Sequence, residues 1–234
     1  MATIRFDGAA LTVPTADHER VVLEPVDLTL TERRVAVIGA NGSGKSTLAR
    51  LVNGLVTPSS GRVLVDDVDV ARDPASVRRR VGFCFTDPSA QLVMPTCLED
   101  VELSLRRHER RRSVRLERAR AVLARFGLGD HADVSVHALS GGQRQLLALA
   151  GVLATEPDVV VADEPTTLLD LANTRLVGDL LLSLDQQLVL VTHDLDLAAR
   201  CDRAVVVAHG RIAFDGPAAA AITAYRSLVD AGTS

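Results

Sequence analysis

With 234 residues, 47% of them apolar, and a net charge of −4, the chain can bury the core of one large globular domain and carries the wrong overall charge for a general nucleic-acid binder. No apolar run approaches the roughly 18 residues of a membrane span, and Met1-Ala2-Thr3-Ile4-Arg5 lacks the charged-then-apolar layout of a signal peptide, which predicts a cytosolic chain still able to dock to a membrane protein. Cys84, Cys97 and Cys201 are odd in number and share no close spacing, so they read as buried apolar side chains, not as a disulfide or zinc framework.

From Thr3 to Val70 short β-rich runs dominate, with a turn at Thr57-Pro58-Ser59-Ser60-Gly61 and a strand at Arg62 to Val65. Arg34-Val35-Ala36-Val37-Ile38 is an apolar run of buried-strand type, and Thr47 to Asn53 has helical spacing before Gly54. Between them lies Gly39-Ala40-Asn41-Gly42-Ser43-Gly44-Lys45-Ser46, which fits the phosphate-loop pattern of glycine, four residues, glycine, lysine, serine or threonine. The glycines let backbone N–H groups converge on an anion, Lys45 reaches β- and γ-phosphates, and the Ser46 hydroxyl can ligate Mg²⁺. Lys45 is the single lysine of the chain, against 25 arginines, and its slim ammonium suits a site too narrow for a guanidinium fork.

From about Glu99 to Ala154 the pattern is helical, broken at Gly127-Leu128-Gly129 and Ser140-Gly141-Gly142. Nine arginines between Arg106 and Arg125 face only Glu109 and Glu117, while Leu116, Val122, Leu123 and Phe126 form an apolar stripe; the block reads as a solvated helix face behind a basic loop, with RNA, anionic lipid or an acidic partner as the alternatives. Leu139-Ser140-Gly141-Gly142-Gln143 precedes a helix expected at Gln145 to Ala154 and also offers N–H groups to an anion, a second potential phosphate site.

Val159 to Ala162, Leu188 to Val191 and Ala204 to Ala208 are buried-type strands separated by helical stretches, so the chain is α/β with a largely parallel sheet and a helical insertion. Asp163 and Glu164 follow the first of these strands. In a phosphate-loop enzyme such a strand runs beside the loop, which puts Asp163 near the Mg²⁺ and Glu164 in reach of an attacking water as general base.

The order Lys45, Leu139 to Gln143, Asp163, Asp170, His193 resembles the ATP-binding-cassette ATPases over Ile4 to about Pro217. The resemblance implies a P-loop NTPase core, mostly parallel sheet plus an antiparallel β part, in residues 1–85 and 156–217, with a helical signature subdomain at 86–155 and a C-terminal helix or tail at 218–234. It implies a dimer in which Leu139, Ser140, Gly141, Gly142 and Gln143 of one subunit complete the ATP site held by Gly39 to Thr47 of the other. Asp170 then belongs to the loop linking the two sites, Ser46 and Asp163 serve Mg²⁺, and His193 holds the γ-phosphate and orients Glu164; His18, His108, His131, His137 and His209 are read as structural. A homodimer is the first expectation and a pair of non-identical ATPases the second.

Two positions depart from the family pattern. Thr86 stands where a coupling glutamine commonly follows Val81-Gly82-Phe83-Cys84-Phe85, with Gln91 as a substitute amide, and Val13 stands where an aromatic residue commonly stacks on adenine, a change expected to relax base choice. Asp87 to Gln91 through Pro95 to Val101 looks like the energy-coupling-factor branch, and Thr86-Asp87-Pro88 with Pro165 to Leu171 looks most like the ATPases of its biotin importers, with cobalt, nickel or another vitamin as alternative cargo. That branch implies a transmembrane coupling subunit and a substrate-binding membrane subunit as partners at the cytoplasmic face of the membrane. A soluble cassette ATPase acting on ribosomes or DNA is the alternative of another class; the 100 positions from Gly39 to Leu139 leave no room for the coiled-coil or zinc modules of the DNA forms.

Overall fold

The computed structural model describes residues 1–15 and 19–232, so His18 lies outside the described residues. The first part of the chain runs β1 (Ile4–Pro14), β2 (Glu19–Leu30), β3 (Arg34–Ile38), α1 (Lys45–Asn53), β4 (Ser60–Val65), β5 (Val68–Asp69), α2 (Pro74–Arg80) and β6 (Val81–Cys84). The middle is helical, with α3 (Cys97–Leu105), α4 (Arg112–Arg125) and α5 (Gly141–Leu153). The last part alternates β7 (Val159–Asp163), α6 (Leu171–Ser183), β8 (Gln187–Val191), α7 (Leu195–Ala198), β9 (Arg203–Ala208), β10 (Arg211–Pro217) and α8 (Ala218–Asp230).

Among the described residues these strands make two sheets. One is antiparallel with order β2-β1-β4-β5; the other has order β10-β9-β3-β8-β7-β6 and is parallel except for the β9–β10 hairpin. Alternate residues of a strand face opposite ways. In β3, Val35 and Val37 therefore enter a core shared with the antiparallel sheet and α1, whereas Ala36 and Ile38 enter a second core under α6 and α8. A strand covered on both faces has no polar side, which is why these runs are continuously apolar. β8 lies between β3 and β7, so the strand ending in Asp163 is one place removed from the loop strand, not its neighbour. α1 bridges that gap by packing across β7 and β8.

A third apolar cluster draws its buried members from residues 97 to 154, and α5 joins it to the sheet by giving Leu147 and Ala150 to one core and Leu149 to the other. α5 starts at Gly141, four residues before the expected Gln145, because a capping box nucleates it: Gln143 N–H donates to Ser140 Oγ at 3.2 Å and Ser140 N–H donates to Gln143 Oε1 at 2.9 Å. In the arginine block, Arg106 and Arg115 close on the buried Glu102, Arg118 on Glu156 and Arg120 on Asp133, and Leu123 points inward, the arrangement of a charged helix face. Cys84, Cys97 and Cys201 are free buried thiols. Among the described residues no helix is long and apolar enough to cross a membrane.

Candidate nucleotide site

The loop leaves β3 at Gly39 and enters α1 through Gly44, whose left-handed φ of 109° only glycine adopts freely. Gly39 has no substitute either: its φ is 151°, and a Cβ there would stand 2.1 Å from the Val207 carbonyl oxygen. The outer side of the loop is thus pressed against β9, and the Ser43 N–H closes its turn on the Ala40 carbonyl at 3.2 Å. Lys45 is buried, and its Nζ donates to the carbonyls of Gly39 and Ala40, both at 2.9 Å. Burial lowers its pKa, with Glu164 and Asp163 opposing that shift. Ser43 Oγ is buried without a hydrogen-bond partner among the described residues, which fits a loop built to receive acceptor oxygens. A cleft of about 310 Å³ opens over Asn41, Gly42 and Lys45 to Thr47, walled by Glu164 on one side and by Arg20 and Val22 of β2 on the other.

At the strand ends the sequence-expected groups meet. Ser46 Oγ donates to Asp163 Oδ1 at 2.8 Å. Asp163 is buried, its pKa is pushed up by that burial against the pull of Ser46 and Arg50, and the Arg50 guanidinium lies 3.6 Å from its other oxygen. Glu164 takes a left-handed φ of 51°, a conformation that costs a non-glycine residue about 1–3 kcal/mol. Its N–H bonds the Val191 carbonyl at 2.9 Å, and the turn this creates swings the carboxylate off the strand and into the cleft. There Oε2 accepts from Thr167 Oγ1 at 2.9 Å and lies 2.7 Å from His193 Nδ1. Position at the end of β8 brings His193 to Glu164, which no local pattern around the histidine encodes.

Ser140 and Gly142 open α5, and Gly142 is close-packed: a Cβ there would lie 2.2 Å from Asn173 Oδ1. Asn173 in turn donates from its N–H and Nδ2 to Asp170, the N-cap of α6. The signature pentapeptide and the expected dimer loop are therefore in contact within one chain. Leu168 and Leu171, beside Asp170, are 63% and 67% exposed, a pair of large apolar side chains left facing outward.

Three sequence-expected residues stand apart from the groups that line the cleft. Val13 is not among the described residues lining the cleft; it is half-buried and packs on the core beneath the antiparallel sheet, on the same face as Arg20, which does line it. Thr86 Oγ1 donates to the Asp163 carbonyl at 2.8 Å and ties the end of β6 to the end of β7. Gln91 offers no substitute amide, since Nε2 donates to the Ala148 carbonyl of α5 at 2.8 Å and Oε1 points back to the Phe85 N–H. Sequence reasoning missed Arg20, Arg50, Thr167 and Asn173. The first was legible only from the hairpin register, which sets Arg20 opposite Val13.

Comparison with known proteins gives this geometry its family. The ABC transporter family model matches residues 23–167. The biotin transport ATP-binding protein BioM of Rhizobium etli is 43% identical, with 96% of this chain and 98% of that protein covered. The energy-coupling factor transporter ATP-binding protein EcfA1 of Bacillus subtilis is 37% identical over 86% of this chain and 74% of that protein. Among solved structures, the dimeric post-hydrolysis state of the ATP-binding cassette MJ0796 bound to ADP and Pi superposes with a TM-score of 0.83 at 29% identity, covering 92% of this chain and 98% of that one. The chain belongs to the ABC transporter family, as one of its ATP-hydrolysing cassettes.

Proposed function

We propose that this chain is the ATPase subunit of an energy-coupling-factor importer that takes up a micronutrient, biotin in the first instance. The transport reading is carried by the likeness to transporter ATPases, and the dimeric reading by the division of the site: phosphate loop, Ser46–Asp163 pair and Glu164–His193 pair gather at one set of strand ends, while the capping-box N-terminus at Ser140 lies outside the cleft lining, beside the exposed Leu168 and Leu171. A second cassette seated on that apolar pair brings its phosphates to Ser140 and Gly142. The biotin assignment rests on full-length likeness to BioM.

In this reading Lys45 and the loop N–H groups bind the β- and γ-phosphates. Glu164 takes a proton from the water that attacks the γ-phosphorus as the bond to the β-phosphate oxygen breaks, and His193 holds the carboxylate in place. Ser46 and Asp163 offer a hydroxyl and a carboxylate 2.8 Å apart, hard oxygen donors of the kind Mg²⁺ takes beside substrate phosphates. When bound, Mg²⁺ would neutralise phosphate charge; the chain supplies orientation. Closure and reopening of the dimer pass outward through residues 86–100 to a transmembrane coupling subunit and a substrate-binding membrane subunit at the cytoplasmic face. That surface is stiffened by Asp100, whose buried Oδ1 accepts the N–H groups of Val93 and Met94 at 2.9 and 3.0 Å and leaves Val93 exposed.

Affinity capture from detergent-solubilised membranes of the native cell tests this. Co-purification with two membrane subunits, one of which retains labelled biotin, is the expected result. Recovery with ribosomes and no membrane protein overturns the transport reading, and a membrane subunit that retains cobalt or nickel instead of biotin overturns the cargo alone. The Thr86 tie gives a second expectation. Thr86→Gln removes the bond to the Asp163 carbonyl and substitutes a longer amide, so basal and partner-stimulated ATPase rates should change in different proportion; rates that both stay at the wild-type value would refute a coupling role.

A further inference from the structure

Arg20 forms one wall of the nucleotide cleft; it is exposed, and its guanidinium makes no hydrogen bond or ion pair with the described residues. It stands directly across the β1–β2 ladder from Val13, so both side chains rise from the same face of the sheet. Val13 is short and half-buried against the core, which leaves the longer Arg20 free to extend past it over the cleft. The lining divides by chemistry. Asn41 to Thr47 present N–H groups, an ammonium and a hydroxyl for phosphate, and Glu164 marks the end where the γ-phosphorus reacts. Among the described residues Arg20 and Val22 are what remains for the rest of a nucleotide, and none of those lining the cleft is aromatic. A purine is a flat, weakly hydrated plate, and a guanidinium is a flat cation that stacks on such plates.

We propose that Arg20 is the base-stacking residue of this ATPase, its guanidinium lying on the purine face with Val22 beneath the ribose side. This deepens the nucleotide reading of the phosphate loop and does not depend on the cargo. A face contact carries no edge-specific hydrogen bond, so ADP and GDP should bind the wild-type chain with similar affinity.

Calorimetric titration of the intact chain with ADP and with inorganic tripolyphosphate separates base from phosphate contacts. Arg20→Gln and Arg20→Lys should weaken ADP about two- to tenfold, the worth of a stacked planar contact that neither side chain offers, and leave tripolyphosphate unchanged; Arg20→Tyr should restore ADP binding, because a ring supplies the same plate without the charge. If Arg20→Lys keeps full ADP affinity, if ADP and tripolyphosphate weaken together, or if Arg20→Tyr fails to recover, Arg20 is not a base plate. Lys45→Ala is the control for the underlying reading: it should lose both ligands, and wild-type tripolyphosphate binding by that variant would place the fault in the loop assignment instead. Far-ultraviolet circular dichroism checks that each variant is folded.

Discussion

Glu164→Gln should lower steady-state ATP turnover by about 10²–10⁴-fold, the usual contribution of a positioned general base, while leaving MgATP binding intact. The substitution isolates chemistry from architecture. Glu164 is held by the Val191 carbonyl through its N–H, by Thr167 Oγ1 and by His193 Nδ1, and a glutamine amide oxygen can keep the last two contacts at the same volume. What it cannot do is accept a proton from water. Because the ATP that closes the dimer then persists, the variant should elute as a dimer with MgATP and as a monomer with ADP. Turnover at the wild-type rate would remove Glu164 from the base role; low turnover without a stable ATP-bound dimer would say that the second anion site at Ser140 is not completed by a partner. His193→Ala gives a graded companion, since it frees the carboxylate without deleting it and should show an intermediate rate.

Much of this site could be read from the chain because its parts are local. Strand, glycine loop and helix follow one another within Arg34 to Asn53, and glycine is demanded where the backbone is left-handed or pressed against Val207. The same holds for the strand order of chemistry at β7, where an apolar run ends in Asp163 and Glu164. The buried six-stranded sheet announced itself by runs without a polar face. What failed to show is whatever depends on register or on side-chain direction. The β1–β2 hairpin sets Arg20 against Val13 through a ladder with several shifts, and a one-residue slip would exchange the residues facing the cleft. Thr86 and Gln91 sit where spacing puts a coupling amide, yet Thr86 is drawn to the Asp163 carbonyl and Gln91 to α5, because each polar group takes the nearest acceptor in a crowded seam. α5 begins four residues ahead of its apolar periodicity, because periodicity starts inside a helix whereas the boundary is set by the Ser140–Gln143 capping box.

The contact between Gly142 and Asn173, and from Asn173 to Asp170, adds a link that the motif order alone does not contain. The groups that would touch a partner's phosphate and the loop that would touch the partner's surface share one packed seam inside a single chain, hydrogen-bonded from Asn173 to Asp170. The start of α5 is thus packed against the N-terminus of α6, and Gln91 ties α5 in turn to the segment 86–100.

Lys45→Arg should impair both nucleotide binding and dimer closure, although it conserves the charge. Lys45 is 5% exposed, with Nζ fixed between the Gly39 and Ala40 carbonyls, and the loop behind those carbonyls cannot retreat because Gly39 already abuts Val207. A guanidinium is broader, carries five donors in a rigid plane and cannot occupy the seat of an ammonium there. It is pushed into the cleft, where it displaces the phosphates it would otherwise bind. Loss of the charge-assisted bonds to phosphate, about 1.5–3 kcal/mol, corresponds to roughly 10- to 150-fold weaker ATP by titration. The closure effect is read separately by placing Lys45→Arg in the Glu164→Gln background and raising MgATP until the site is saturated. The double variant should remain monomeric at saturation, because the γ-phosphate is no longer presented at the depth where a partner's Ser140 and Gly142 meet it. A double variant that dimerises as readily as Glu164→Gln alone would confine the lysine to binding, and wild-type ATP affinity in the single variant would show that the loop tolerates a guanidinium after all. In a chain with 25 arginines the persistence of one lysine at this position is what the geometry of a closed loop requires.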